Sequence, residues 1–260
     1  MKEYVPLKKY AQCMGMKKND IVFISSDSTI MLYDAMYNNS SCDLNDFLDG
    51  IIDVVGDGGT IIIPTFNWDY CKGVAFDYKN TPCKTGMIGT VALRRQDFKR
   101  TKHPIYSFAV FGRFQDYLCS LENKDSFADD SPFGFFKRMN VKNYIIDVSL
   151  KNCFTYVHYV EESSKMVKYR FVKTFTGDYI DENGLKTKTN YSMFVRDLNL
   201  NVENIIDPFD LIFEKNGIER LITINNSTIR IIELGKAFDL ILNDIKNNSS
   251  KTICSFKKQQ

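Results

Sequence analysis

The sequence predicts an α/β chain with a partly parallel sheet, followed by an antiparallel β extension. Three observations carry this. Residues 21–26 and 60–63 are β-branched, apolar runs bounded by polar or glycine-rich turns, the pattern of buried strands. Residues 43–52 between them place apolar side chains at helical spacing, and strand–helix–strand over about forty residues is a crossover joining parallel strands. After Lys168 the pattern changes to alternation broken by an Asn-Gly turn signal.

Taken in order, the first strand ends at Ser25-Ser26, and Asp57-Gly58-Gly59 closes the helix before the second strand. Residues 64–85 form a long connection containing Pro64, Gly73, Pro82 and the only tryptophan, Trp68. Connections of that length are usually functional or disordered, and Phe66, Trp68, Tyr70, Phe76 and Tyr78 argue against disorder. Residues 108–111 and 144–148 read as later strands of the same sheet, the second followed by a helix over residues 155–167. Residues 169–175 then alternate, Asn183-Gly184 turns the chain, and residues 190–195 return as the partner strand. A second strand pair, 220–224 and 227–232, flanks Asn225-Asn226. The last helix covers residues 233–245, and the lysine-rich tail beyond it is expected to fray. With no repeat and no linker, residues 1–260 read as one domain. Its core spans residues 1–167; the antiparallel extension and C-terminal helix span 168–250.

Composition removes several function classes. A chain of 260 residues with 44% hydrophobic and 25% charged residues matches a soluble globular protein that needs no staple. The apolar runs fall far short of the roughly 20 residues of a membrane span. Met1-Lys2-Glu3-Tyr4-Val5-Pro6 lacks the apolar centre of a secretion signal. Seven cysteines, an odd number without paired spacing, and two histidines give no metal-ligand pattern, so no metal is expected. Reduced thiols and a cytoplasmic location are the expectation. A net charge of +2 with no arginine-rich run offers nucleic acid no footprint.

The chemistry concentrates in Thr155, His158 and Glu161, which recur every third residue and share one face of a helix. At that spacing a carboxylate holds an imidazole in one tautomer, which suits general-base work near neutral pH. Thr155, at the helix start, offers a hydroxyl close to unpaired backbone N–H groups, a corner able to stabilise an oxyanion. A threonine cap beside a surface His–Glu pair has the same spacing. A thiol mechanism would pair Cys153 with His158, but five residues put them on different helix faces. In His103-Pro104 the proline fixes the chain before a strand, so His103 reads as shaping the site rather than as its base.

Five segments in order carry a family resemblance. Ile24-Ser25-Ser26 ends the first strand, and Gly58-Gly59-Thr60-Ile61-Ile62-Ile63-Pro64-Thr65-Phe66 spans the second. Residues 86–104, GMIGTVALRRQDFKRTKHP, run into the strand at 105–112. Ser131-Pro132-Phe133-Gly134 and Thr155-x-x-His158-x-x-Glu161 complete the set. Over residues 5–175 the chain resembles the aminoglycoside 3-N-acetyltransferase family. The resemblance implies an α/β/α sandwich with a mixed sheet, acyl-CoA as co-substrate, and His158 as a general base oriented by Glu161. It places coenzyme A along Ser25, Ser26, Asp27 and Ser28, near Thr65, Ser107 and Phe108, and near Ser131 and Phe133. Direct attack by an amine on a thioester needs no protein nucleophile, because the thioester is already activated.

The departures bear on the acceptor. Thr90 stands where the family commonly has glutamate, Asp147 where it has glycine, and Phe154 where it has asparagine. Aminoglycosides are polycations, and a chain of net charge +2 that lacks a family acid is expected to prefer another amine. Family members outside antibiotic resistance act on amino sugars in polysaccharide pathways. The expected acceptor is therefore a nucleotide-linked amino-deoxy sugar. Trp68, Tyr70 and Tyr78 would stack on its base or sugar, and Arg94, with Arg95, Lys99, Arg100 and Lys102, would face its anionic handle. An aminoglycoside antibiotic is the alternative acceptor, and a non-catalytic protein binding coenzyme A or sugar is a further reading. Neither nucleic acid nor a membrane is an expected partner. The edge strands after Lys168 could pair two copies into a homodimer.

Overall fold

Runs such as Ile61-Ile62-Ile63 are apolar on both faces, so they become strands only where helices cover both sides of a sheet. The computed structural model describes residues 3–256 and builds that arrangement. Its strands, in chain order, are β1 (Ile21–Ser26), β2 (Thr60–Pro64), β3 (Phe76–Asp77), β4 (Lys99–Arg100), β5 (Phe108–Gly112) and β6 (Lys142–Ile146). They continue as β7 (Arg170–Ile180), β8 (Lys186–Arg196), β9 (Val202–Asn204), β10 (Glu219–Ile224), β11 (Ser227–Glu233) and β12 (Cys254–Phe256). The central sheet has the order β10-β11-β6-β1-β2-β5-β4. β1 is parallel to both β2 and β6, while the outer pairings are antiparallel, so the sheet is mixed.

Successive side chains of the central strands alternate between two apolar layers. Val22, Ile24, Ile61 and Ile63 pack on one side with Leu44, Phe47, Leu48, Ile51 and Val55 of the helix Leu44–Val55. That helix starts where the Asp43 side chain accepts from the Asn45 N–H at 2.9 Å and stops at Gly56, whose φ of 64° is left-handed. Phe23, Ile62, Phe108 and Ile145 point to the other side, against Phe133 and Phe136 of the helix Pro132–Arg138 and Tyr156, Tyr159 and Val160 of the helix Tyr156–Ser164. The helix Leu234–Asn247 joins this second layer through Leu234, Phe238 and Ile241. The result is the expected α/β/α sandwich.

The C-terminal third divides differently from the sequence expectation. β7 and β8 form a long hairpin whose ladder runs from Arg170↔Arg196 to Ile180↔Lys186, and Gly184 turns it at φ 84°. The second hairpin does not extend outward. β11 pairs with β6, so β10 and β11 complete the central sheet itself. The connection over residues 64–85 is ordered by the short helix Asp69–Lys72 and by β3, which pairs in parallel with β7. Instead of fraying, residues 254–256 form β12 against β9, while the rest of the tail, residues 257–260, lies outside the described residues. Among the described residues no helix is long and apolar enough to cross a membrane.

Candidate active site

Parallel strands leave a crevice beyond their carboxyl ends, where the chain turns into helices. Here β1, β2 and β6 end around a cavity of about 450 Å³. Ser25, Ser26, Asp27, Ser28 and Thr29 form one wall, and Pro64, Phe66, Trp68 and Thr85 with Gly86 form another. Val148, Asn152, Cys153 and Thr155 close the third. Asp27 accepts from the N–H and the hydroxyl of Thr29, at 2.9 and 2.6 Å, and these bonds hold its carboxyl below the usual range.

One helical turn beyond Thr155, His158 Nδ1 lies 2.7 Å from Glu161 Oε2. The Glu161 carboxylate is wholly buried, and three partners surround it. Its Oε1 accepts from the Tyr169 hydroxyl at 2.7 Å, and Arg170 Nε stands 2.8 Å from Oε2 as an ion pair. Burial pushes the Glu161 carboxyl up, but the hydrogen bond and charge of His158, then Arg170 and Tyr169, outweigh it and hold the group below the usual carboxylate range. An ionised carboxylate only accepts, so Nδ1 carries the proton and Nε2 is left with its lone pair. Burial, followed by the Arg170 charge, lowers the His158 pKa; Glu161 opposes them without prevailing. The ring also packs edge-on against Phe127, with centroids 5.7 Å apart. Phe127 packs on Tyr106, and Tyr106 on Trp68 of the cavity wall, so an aromatic path joins cavity and imidazole.

The family model for aminoglycoside 3-N-acetyltransferase matches residues 38–245. The chain belongs to that family. Its class is coenzyme A-dependent N-acetyl transfer, with acyl-CoA as co-substrate. The fold agrees across large sequence distances. The YokD protein from Bacillus subtilis is 18% identical with a TM-score of 0.74, covering 93% of this chain and 98% of its own. AAC-VIa in its sisomicin-bound structure is 15% identical with a TM-score of 0.77, covering 95% and 99%. AAC-IIIb in its binary structure with CoASH is 13% identical with a TM-score of 0.76, covering 99% and 100%. No curated protein matches the chain in sequence.

The family positions divide into a wall, a floor and outliers. Ser25, Ser26, Asp27, Ser28, Trp68 and Thr155 line the cavity. Thr65 and Ser107 lie beneath it as a buried hydroxyl pair 2.9 Å apart, which Arg100 braces by donating from Nε to Ser107 Oγ at 3.0 Å. Phe108 and Phe133 pack in the core below, and Ser131 is buried with its hydroxyl unpaired. Tyr70 and Tyr78 are not at the cavity. The Tyr70 hydroxyl donates to the carbonyls of Gly177 and Thr189, and that of Tyr78 to the carbonyl of Arg100, so both anchor the long connection. Thr90 spends its hydroxyl on the Gly86 carbonyl at 3.2 Å, and Arg94 is exposed; neither lines the cavity.

The other basic residues expected near an anionic handle are engaged elsewhere. Arg95 pairs with Asp49 and Asp97, Lys99 with Asp116, and Lys102 with Glu122, while Arg100 is buried among carbonyls. Asp147 has φ 53°, a left-handed conformation that favours glycine, which accounts for the family's glycine there; its Oδ1 accepts from the Thr228 N–H at 2.7 Å. His103 is buried, its Nδ1 accepts from the N–H groups of Ile105 and Tyr106, and burial pushes it down to about 3. A neutral ring of that kind shapes the turn into β5.

Sequence reasoning missed Tyr169 and Arg170 as partners of Glu161. They appear only as the start of an alternating strand, and nothing in alternation says which side chain returns to a helix. It also missed a coupled acidic pair, Asp125 and Glu162. Glu162 lies one turn beyond His158, and burial, then the charge and hydrogen bond of Asp125, push its carboxyl up to about 8. Asp125 is held by the Ser192 hydroxyl at 2.7 Å and by the N–H of Phe127. Among the described residues no group of three or more metal-ligating side chains is placed to hold an ion.

Proposed function

We propose that this chain transfers an acyl group from acyl-CoA to the amino group of an amino sugar, with His158 as general base. The observation that carries the reading is the buried Glu161 fixing Nδ1–H of His158 while Nε2 keeps its lone pair. The amine nitrogen attacks the thioester carbonyl, Nε2 takes the N–H proton, and the carbon–sulfur bond breaks. Coenzyme A leaves as a thiolate that the same proton neutralises. Thr155 makes no capping hydrogen bond, so its hydroxyl is available to the carbonyl oxygen as charge develops there. Coenzyme A suits the donors of the wall. The hydroxyls of Ser25, Ser26 and Ser28 and the helix opening at Thr29 can bind its amides and phosphates, with Asp27 orienting Thr29. Thr65, Ser107, Phe108, Ser131 and Phe133 would support that site from beneath.

The nucleotide-linked amino-deoxy sugar is the second reading, favoured by Arg196, whose charge acts on His158. Arg95, Lys99, Arg100 and Lys102, proposed for its diphosphate, already have partners, which weighs against it. This reading includes a cytoplasmic location, where acyl-CoA and seven free thiols coexist. It also includes a homodimer through the edge strand β10, which light scattering would show as twice 30.1 kDa.

The test is thiol release from acetyl-CoA with aminoglycosides and amino-deoxy sugar nucleotides assayed in parallel. His158→Gln is expected to lose about 10²–10⁴ in kcat. Wild-type turnover in that variant would remove His158 as the base, and turnover confined to sugar nucleotides would install the second reading.

A further inference from the structure

The proposed base and its carboxylate lie on one helix, but the groups that fix the carboxylate come from beyond it. Lys165 ends the helix Tyr156–Ser164 in a left-handed turn at φ 55°, and the chain doubles back into β7. That reversal brings Tyr169 and Arg170 against Glu161. Arg170 is itself held. Its Nη1 donates to the Phe194 carbonyl at 3.2 Å, and its Nη2 to Asn204 Oδ1 at 3.1 Å. Its side chain is 5% exposed and that of Glu161 0%, so little water screens the pair. The Nε of Arg170 is not aligned for a hydrogen bond to the carboxylate, so its contribution to Glu161 is mainly charge and packing.

We propose that Arg170 is a positioning residue of the transfer reaction, one that keeps Glu161 ionised against His158 Nδ1 and disfavours a proton on Nε2. The proposal rests on the reading of His158 as the base. Two effects act together. A guanidinium near the imidazole opposes a second positive charge there, and it also neutralises the buried carboxylate that would otherwise attract one. The charged and titratable groups facing the pair are Arg170 and Tyr169 at the start of the hairpin, Arg196 on β8, and Cys254 on β12. Of these only the two arginines carry charge at neutral pH, and both act in the same direction. The lysine that conserves charge cannot reproduce the forked contacts to Phe194 and Asn204.

The chain has two histidines, so NMR reads the His158 titration directly, with His158→Gln assigning the signal. In Arg170→Met the His158 midpoint is expected to move to higher pH, and the acid limb of kcat/KM to move with it. An unchanged midpoint overturns the proposal, since loss of a merely structural residue lowers activity without moving the titration. Removing one partner of a buried ion pair can prevent folding. Arg170→Lys therefore provides the second measurement. It is expected to keep the midpoint and lose about tenfold in kcat at constant KM for acyl-CoA, and wild-type kcat in that variant also overturns the proposal. Full activity in His158→Gln would instead sink the general-base reading, leaving the titration comparison intact.

Discussion

At the scale of single residues, burial tunes groups on and before the helix that carries His158. Glu162, pushed up to about 8, prefers its proton in the folded state. Its favourable contribution is fully present below the unfolded glutamate value and is lost as pH rises toward 8. Glu162→Gln is therefore expected to flatten the fall in Tm between pH 5 and pH 8, gaining about 2–4 °C over wild type at the upper end. A variant whose Tm tracks wild type across that range would show that the carboxyl is ordinary. Cys153 lines the cavity, yet burial pushes its thiol up to about 12, which leaves almost no thiolate at neutral pH. Cys153→Ser is expected to keep kcat within about threefold, because a thioester needs no protein nucleophile. A loss of about a hundredfold would restore the thiol mechanism.

At the scale of elements, the hairpin of β7 and β8 reaches the cavity through the connection of residues 64–85. Tyr70 is the fastening, donating to carbonyls on both strands, and its ring lies so close to Gly177 that an added Cβ would come within 2.8 Å of it. Tyr70→Phe is expected to cost about 1 kcal/mol. It should also shift the emission of Trp68, the only tryptophan, to the red as that side chain loses its packing on Phe66 and Tyr106. An unchanged spectrum and Tm would show that the connection is held by other contacts. The same elements mark where sequence reading stops. Asn183-Gly184 and Asn225-Asn226 each disclose a hairpin, because turn chemistry is local. Which sheet a hairpin joins is not local. The sequence Ser-Thr-Ile-Arg-Ile-Ile-Glu of β11 fits a free ribbon as well as a strand whose Ile229 and Ile231 pair with Ile146 and Tyr144. Likewise Tyr70 and Tyr78 look like ligand platforms in sequence, whereas their hydroxyls are committed to backbone carbonyls.

At the scale of the whole molecule, the crossover of β1 and β2 and the Thr155–His158–Glu161 spacing were legible because each depends on short-range periodicity, while the serines that line the cavity were marked only by the family resemblance. The counter-charge of Glu161 was not legible, because it depends on a chain reversal after Lys165. The completion of the sheet has a consequence for biosynthesis. The ribosome releases β6 long before β11, so the outer edge of β6 stays unpaired until residue 233 has emerged. An unpaired edge on a nascent chain is a template for aggregation. Nascent chains stalled between residues 146 and 233 should therefore be the ones that chaperones capture. A truncated product that keeps the whole Thr-x-x-His-x-x-Glu sequence would still be insoluble rather than merely slow.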